Sequence, residues 1–237
     1  MFKLSQLVIN IDLPKHIAII PDGNRRFAKQ RRMVPWKGHE EGMKTAKKML
    51  EWWVETDIQE LSFWGLSTEN LNRSKEEVKQ LFRIFRESIK NWKKDIGKLS
   101  KKHEVRVRFY GDLEKFPEDM IKSMKEIEKD TEKYNKRFLN ILLGYGGKHE
   151  IVTAVNKLMK SGRKFVTEKD IQENLFVKNN ADLIIRTGGM PRLSGFMPWQ
   201  TVYAELYITK ALFPALTKRE FLKAIKWFEE IQRNFGK

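Results

Sequence analysis

Short apolar runs that end in glycine or polar residues alternate along this chain with longer stretches whose apolar positions recur every three or four residues. "HIAIIPDG" predicts a buried strand ending at Pro21, after which Asp22 and Gly23 turn the chain toward a helix over about Arg25 to Arg31. Beyond a loop containing Pro35 and Gly38, "HEEGMKTAKKMLEWWVETD" places Met43, Ala46, Leu50, Trp53 and Val54 at near-helical spacing. "IQELSFWGLS" predicts the next strand, Ile58 to Leu66. In "SKEEVKQLFRIFRESIKNWKKDIGKL", Val78, Leu81, Phe82, Phe85, Ile89 and Trp92 form one apolar helical face opposite a charged one. "VRVRFYGD" alternates as a strand, followed by a helix over about Pro117 to Lys133, the strand "FLNILLGYGG", a helix over about His149 to Met159 and the strand "ADLIIRTGG". "YAELYIT" is a further short strand, and "KREFLKAIKWFEEIQRNF" closes the chain as an amphipathic helix. Strands separated by helices of these lengths predict an α/β fold: one domain with a central, largely parallel sheet flanked by helices.

Ligands of such folds lie beyond the carboxyl ends of the strands. There the chain carries "PDGNRR", "STENLNR", "YGD", "GYGGKHE" and "RTGGMPRLS", one motif after each of five predicted strands. Asp22 stands among Arg25, Arg26, Lys29 and Arg31. The cations suit phosphate oxygens and the carboxylate suits a divalent metal shared with them, while a plain helix cap is the alternative for Asp22. Ser67, Asn70 and Arg73, with Glu77 a turn later, make a second polar cluster, in which Ser67 or Thr68 also suits a helix start. Arg186 and Arg192 flank a glycine turn and suit a diphosphate, with Ser194 and exposed backbone N–H groups as neutral donors. Neither GxxxxGK[ST] nor GxGxxG occurs at a strand-to-helix turn, which disfavours a nucleotide triphosphatase. Glu205 lies in an otherwise apolar run and needs a cation, a hydrogen-bond partner or a metal; a structural salt bridge and a metal-bound acid both meet that need. His39, between two polar motifs, suits donation to phosphate, proton transfer or a capping role.

Composition narrows the field. With 47 Lys and Arg against 31 Asp and Glu, the formal charge is +16, which attracts RNA, acidic lipid and phosphorylated metabolites alike. RNA-recognition signatures are missing, and the helical spacing of several aromatics favours core packing or an apolar channel over base stacking, so no nucleic acid is expected. The absence of cysteine excludes disulfides, thiolate catalysis and cysteine-bound zinc, and the four histidines lack metal-ligand spacing. No apolar run approaches the roughly 20 residues that span a bilayer, and "MFKLSQLVINIDLPK" has a charge at Lys3 without a cleavage site, so a soluble intracellular protein is expected.

"HIAIIPDGNRRFAKQR", "GH", "LSTENLNRSKEEV", "GYGG", "DLIIRTGGMPRLSGFMPWQ" and "YAELY" occur in this order from His16 to about Phe213. Together they resemble the successive motifs of the cis-prenyltransferases, the family that includes undecaprenyl diphosphate synthase and dehydrodolichyl diphosphate synthase. The resemblance implies one α/β domain with an apolar tunnel, usually in a homodimer, and magnesium-dependent condensation of isopentenyl diphosphate with an allylic diphosphate. It further implies a cytoplasmic location, with peripheral membrane association for product release. Asp22, Asn24, His39, Ser67 and Asn70 would form the catalytic group. Gly23, Asn24, Arg25, Arg26, His39 and Arg73 would hold the allylic diphosphate, and Arg186, Arg192 and Ser194 the isopentenyl diphosphate. Asp22 and Glu205 would bind Mg2+, and Thr68, Glu69 and Glu77 would support a flexible loop and the helix after it. Gly65, Phe82 and Phe85 would line the tunnel. Arg25 stands where bacterial long-chain members commonly have glycine, and Gly144, Met190, Gly195 and Pro198 also depart from the usual pattern. These departures leave primer preference, product length and elongation versus branched condensation open.

Overall fold

The computed structural model describes residues 13–232, so the readings of Lys3 and of the last residues of the closing amphipathic stretch fall outside the described residues. At the centre lies β1 (His16–Ile20), buried along its whole length, as expected for a strand covered on both faces. It pairs on one side with β2 (Glu60–Trp64) and on the other with β5 (Leu183–Arg186). With β3 (Val105–Tyr110), β4 (Arg137–Leu142) and β6 (Glu205–Ile208) the order is β3-β4-β2-β1-β5-β6, and every pairing is parallel. The chain leaves β1 toward β2 and leaves β5 toward β6, in opposite directions, so the carboxyl ends of β1 and β5 flank the crevice where parallel sheets bind ligands.

One sheet face packs against α2 (Pro35–Val54), α3 (Lys75–Lys90), α5 (Glu118–Thr131) and α8 (Lys218–Glu229) through a core that includes Ile17, Ile19, Trp53, Leu61, Leu81, Val107, Met120 and Phe221. The other face buries Ala18, Ile20, Trp64, Leu142, Tyr145, Ile184 and Phe196. Strand alternation sets the two faces: Phe63 and its β4 partner Ile141 point to the first, Trp64 and Leu142 to the second.

Several boundaries differ from the sequence expectation, each for a local reason. α1 runs Asn24–Gln30. β2 stops at Trp64 instead of Leu66 because the N–H groups of Gly65 and Leu66 both turn to the carbonyl of Leu142. Gly38 and His39 lie inside α2, not in a loop before it, since Pro35 starts the helix at a position that needs no N–H. The glycines are there because α1 crosses at backbone distance: a Cβ on Gly38 would lie 1.9 Å from the Asn24 carbonyl oxygen, and one on Gly42 would lie 2.2 Å from Asn24 Oδ1. The single long helix expected from Ser74 onward is instead α3, a π-helical turn Lys93–Gly97, and α4 (Lys98–His103). α6 (Gly147–Lys160) begins directly after the "GYGG" turn. α7 (Glu168–Asn174), missed in the periodicity, carries the Thr167/Asp170 capping box.

Candidate active site

β1 delivers Asp22 past its carboxyl end into an open basin of about 420 Å³. Arg25, Arg26, Arg73, Arg186 and Arg192 line it against one lining carboxylate, Asp22, a field built for a polyanion. The helix-cap alternative for Asp22 fails, because the cap position of α1 is Gly23, at φ 111°, with no side-chain cap. A Cβ on Gly23 would come within 2.9 Å of Leu212, so both torsion and space require glycine. The Asp22 carboxylate instead accepts from Arg186 Nη2 at 3.0 Å and lies 3.2 Å from Arg26 Nη2. Its main-chain carbonyl is fixed by Thr187 Oγ1 at 2.7 Å and by the Phe213 N–H at 3.0 Å.

Arg186 comes from the end of β5 with its side chain only 4% exposed. Its Nη1 donates to Ser194 Oγ at 3.0 Å and to the Arg192 carbonyl, which folds the 187–194 loop back over the guanidinium. Arg192 and Ser194 are exposed at the rim. The glycine N–H groups of this loop are not free donors as expected: Gly188 donates to Ala211 O at 2.8 Å and Gly189 to Thr209 O at 2.9 Å. Gly188 serves sterically, since a Cβ there would lie 2.2 Å from Arg26 Nη2, whose partner Nη1 donates to the Gly188 carbonyl at 2.7 Å.

Asn24 lines the basin. Its Nδ2 donates to Pro21 O at 3.0 Å, and its Oδ1 is buried without a hydrogen-bond partner. It pins the turn that aims Asp22. Ser67 and Asn70 cap one another, with Asn70 N–H to Ser67 Oγ at 3.2 Å and Ser67 N–H to Asn70 Oδ1 at 3.3 Å, and both line the basin. Thr68 packs under Gly146 and Glu69 is exposed in the 3-10 turn Glu69–Asn72, so neither lines the basin. Arg73 Nη1 donates to Glu77 Oε1 at 2.7 Å, and Arg25 lies 3.7 Å from the same oxygen. His39 faces this group with Nε2 buried and unpartnered. Burial first, then the charges of Arg73 and Arg25 against the opposing pull of Glu77, hold its imidazole down to a pKa of about 4. At neutral pH it is an uncharged donor or acceptor.

Glu205 is not brought to Asp22 within the chain. It opens β6 in register with Leu183, which pairs with Ile17 at the amino edge, whereas Asp22 follows Ile20 at the carboxyl edge. At about 3.3 Å per strand residue, the two levels are roughly 10 Å apart before the turn to Asp22 begins.

The family profile of undecaprenyl diphosphate synthases matches residues 20–236. An isoprenyl transferase of Fusobacterium nucleatum is 40% identical over 226 residues, covering 95% of this chain and 96% of the relative. The chain belongs to the cis-prenyltransferase family. A geranylgeranyl-diphosphate-specific tritrans,polycis-undecaprenyl-diphosphate synthase of Pyrococcus furiosus is likewise 40% identical, over 95% of this chain and 88% of that one. The crystal structure of lavandulyl diphosphate synthase from Lavandula x intermedia with dimethylallyl diphosphate superposes with a TM-score of 0.88 at 29% identity, covering 95% of this chain and 99% of that one.

In this cis-prenyltransferase a narrow apolar cavity of about 70 Å³ lies between α2, α3 and the sheet, walled by Met43, Met49, Leu50, Phe63, Phe85, Ile89, Trp92, Ile96, Phe109, Leu139, Ile141 and Leu143. Gly65 stands between it and the basin: it lines the basin, and a Cβ there would meet Leu143 at 2.8 Å and Phe85 at 3.4 Å, both walls of the cavity. Phe82 does not line it, pairing instead with Phe116 at a ring-centroid distance of 5.1 Å on the flank of α3. Most of the wall escaped sequence reading, although strand alternation on Phe63, Leu139, Ile141 and Leu143 carried the signal.

Proposed function

We propose that the chain condenses isopentenyl diphosphate with an allylic prenyl diphosphate and elongates a Z-polyprenyl chain. One observation carries this reading: an arginine-lined basin and an apolar cavity lie on either side of Gly65, the pairing that an anionic head and a growing hydrocarbon tail require. The allylic diphosphate sits near Arg25, Arg26, Arg73 and the neutral His39, and the isopentenyl diphosphate near Arg186, Arg192 and Ser194.

Asp22 fits a hard divalent cation. It is a single carboxylate, 31% exposed, facing a phosphate-suited basin, and Mg2+ is commonly held by one or two carboxylates plus substrate phosphates and water. Among the described residues no group of three or more acidic, His or Cys side chains forms a metal cage, which agrees with a metal completed by substrate. Bound there, Mg2+ would supply charge stabilisation to the departing diphosphate. The chain's own part is to hold that leaving group among fixed arginines while C1 of the allylic substrate gains carbocation character. The isopentenyl double bond attacks C1, and loss of a proton from the new cation restores the alkene. Ser67 and Asn70, at the basin edge beside Gly65, keep the two substrates in line.

A homodimer is part of the proposal, supported by the half-buried edge strand β6 and by Val202 and Tyr203 beside it, 71% and 68% exposed. Glu205 lies on that edge and reaches a metal only if a second copy brings it there. Light scattering after size exclusion measures the assembly. The activity is tested by incubating the chain with labelled isopentenyl diphosphate, Mg2+ and dimethylallyl, geranyl, farnesyl and geranylgeranyl primers, with products read by mass spectrometry. Z-elongation of the farnesyl or geranylgeranyl primer is expected. A branched condensation of two five-carbon substrates as the best reaction overturns elongation, and no labelled isoprenoid from folded protein overturns the enzyme assignment.

A further inference from the structure

The apolar cavity has a direction. α2 and α3 both leave the basin at the carboxyl edge of the sheet: Gly42 of α2 lies against Asn24, and Glu77 of α3 holds Arg73. Down those helices the wall passes from Met43 and Phe85 to Leu50, Trp92 and Ile96. Its far end therefore lies under the junction where α3 stops at Lys90 and the π-helical turn Lys93–Gly97 leads into α4. Residues 90–103 hold six lysines against one aspartate. Lys90, Lys94, Lys98, Lys101 and Lys102 are exposed there while Trp92 is buried, so the same short segment caps the cavity inward and presents cations outward.

The charge continues across the start of β4. His103 lies where burial, and then the nearby Lys102, Arg137 and Lys136 charges, push its imidazole below the ordinary range. Among the described residues no helix is long and apolar enough to cross a membrane. Each lysine close to an anionic bilayer adds about fivefold to binding, and a helical cluster of about four to eight reads as an anionic-lipid recognition element.

We propose that the lysine-rich α3–α4 junction docks the protein on an anionic lipid bilayer, with the far end of the apolar cavity turned toward the membrane. The inference rests on the prenyl-elongation reading for the cavity's contents, but not for the binding itself. The diphosphate then stays in the aqueous basin at one edge of the sheet while the hydrocarbon end lies nearest the lipid at the other.

The test measures binding without turnover, so it fails or succeeds separately from the activity assay. Full-length protein is sedimented with vesicles of phosphatidylcholine alone or with phosphatidylglycerol added, at low and high salt. Lys94→Glu/Lys98→Glu/Lys101→Glu/Lys102→Glu is compared with a control of smaller but similar sign, Lys122→Glu/Lys125→Glu/Lys129→Glu on α5, and circular dichroism melting confirms folding. If the quadruple reversal does not fold, the corresponding Lys→Gln variant replaces it. Expected are salt-sensitive binding to the phosphatidylglycerol vesicles only, at least about a tenfold loss in the junction variant, and less than about threefold in the α5 variant. Equal loss in both variants would reduce the effect to net charge and overturn the assigned surface. No vesicle binding, or binding of an oligoribonucleotide through the same lysines without vesicle binding, overturns the membrane proposal.

Discussion

Asp22 and Arg186 form the residue-scale hinge of the site: a carboxylate that would face a metal is held 3.0 Å from a guanidinium that would face a diphosphate. Asp22→Asn keeps the shape and a hydrogen-bond acceptor for Arg186 but removes the charge. It should lower kcat at least about 100-fold, the scale of losing one preorganised electrostatic group, while moving the thermal midpoint by only a few degrees. Steady-state kinetics beside a melting curve checks it; an unchanged kcat would return Asp22 to a purely structural role. His39 makes a second prediction. Its depressed pKa reflects burial and neighbouring arginines, so a bound polyanion that offsets the arginines should raise it. Histidine NMR titration should move the midpoint upward from about 4 on adding inorganic diphosphate, and an unmoved midpoint would place the anion elsewhere.

Among the elements, Gly65 stands between basin and cavity. Gly65→Leu would push into Leu143 and Phe85 and narrow the passage, so products should shorten at a nearly unchanged rate of first condensation. Mass spectrometry of product length checks this, and an unchanged distribution would place the limiting wall deeper, at Trp92 or Ile96. Sequence patterning made the parallel sheet, the strand-end motifs and most helices legible, because each depends on local periodicity or on a short polar turn. It failed where long-range contact decides. Nothing in "VPWKGHEEGMK" shows that Gly38 and Gly42 meet Asn24 across a helix crossing. Phe82 and Phe85 are three residues apart on one apparent apolar face, yet only Phe85 reaches the cavity, because Phe116 from beyond β3 captures Phe82. The apolar setting of Glu205 left a salt bridge and a metal-bound acid both open, and only strand register shows that it opens β6 at the far edge. A buried polar cluster was also invisible: His16 Nε2 lies 2.8 Å from Ser62 Oγ, and Asn140 bridges Glu60 and Ser62 from 78 to 80 residues away in sequence.

Over the whole molecule, both His16 and His39 are held neutral by burial, His16 against the opposing pull of Glu60 and Asp182. The sign follows directly: each takes up its proton more readily in the unfolded chain, so stability falls as pH drops through the ordinary histidine range. For His39 the loss runs from about 6.5 down to about 4 and then stops, because the folded state also protonates. Urea unfolding between pH 7.5 and pH 5 should show a decline of up to about 2 kcal/mol from His39, removed in His39→Asn. A flat profile in the native protein would place both imidazoles in contact with water.

The arginine-lined basin and the apolar cavity share no lining residue, and they draw largely on different stretches of chain. The basin is assembled mainly from the segments after β1, β2 and β5, with α1 and His39 of α2, while the cavity is walled mainly by the rest of α2, α3 and the inward side chains of β2, β3 and β4. Substitutions in those walls leave every arginine in place. Descendants of such a sequence are therefore free to drift in the length of what they make while inheriting the reaction unchanged, and product size is the trait on which selection can act most cheaply.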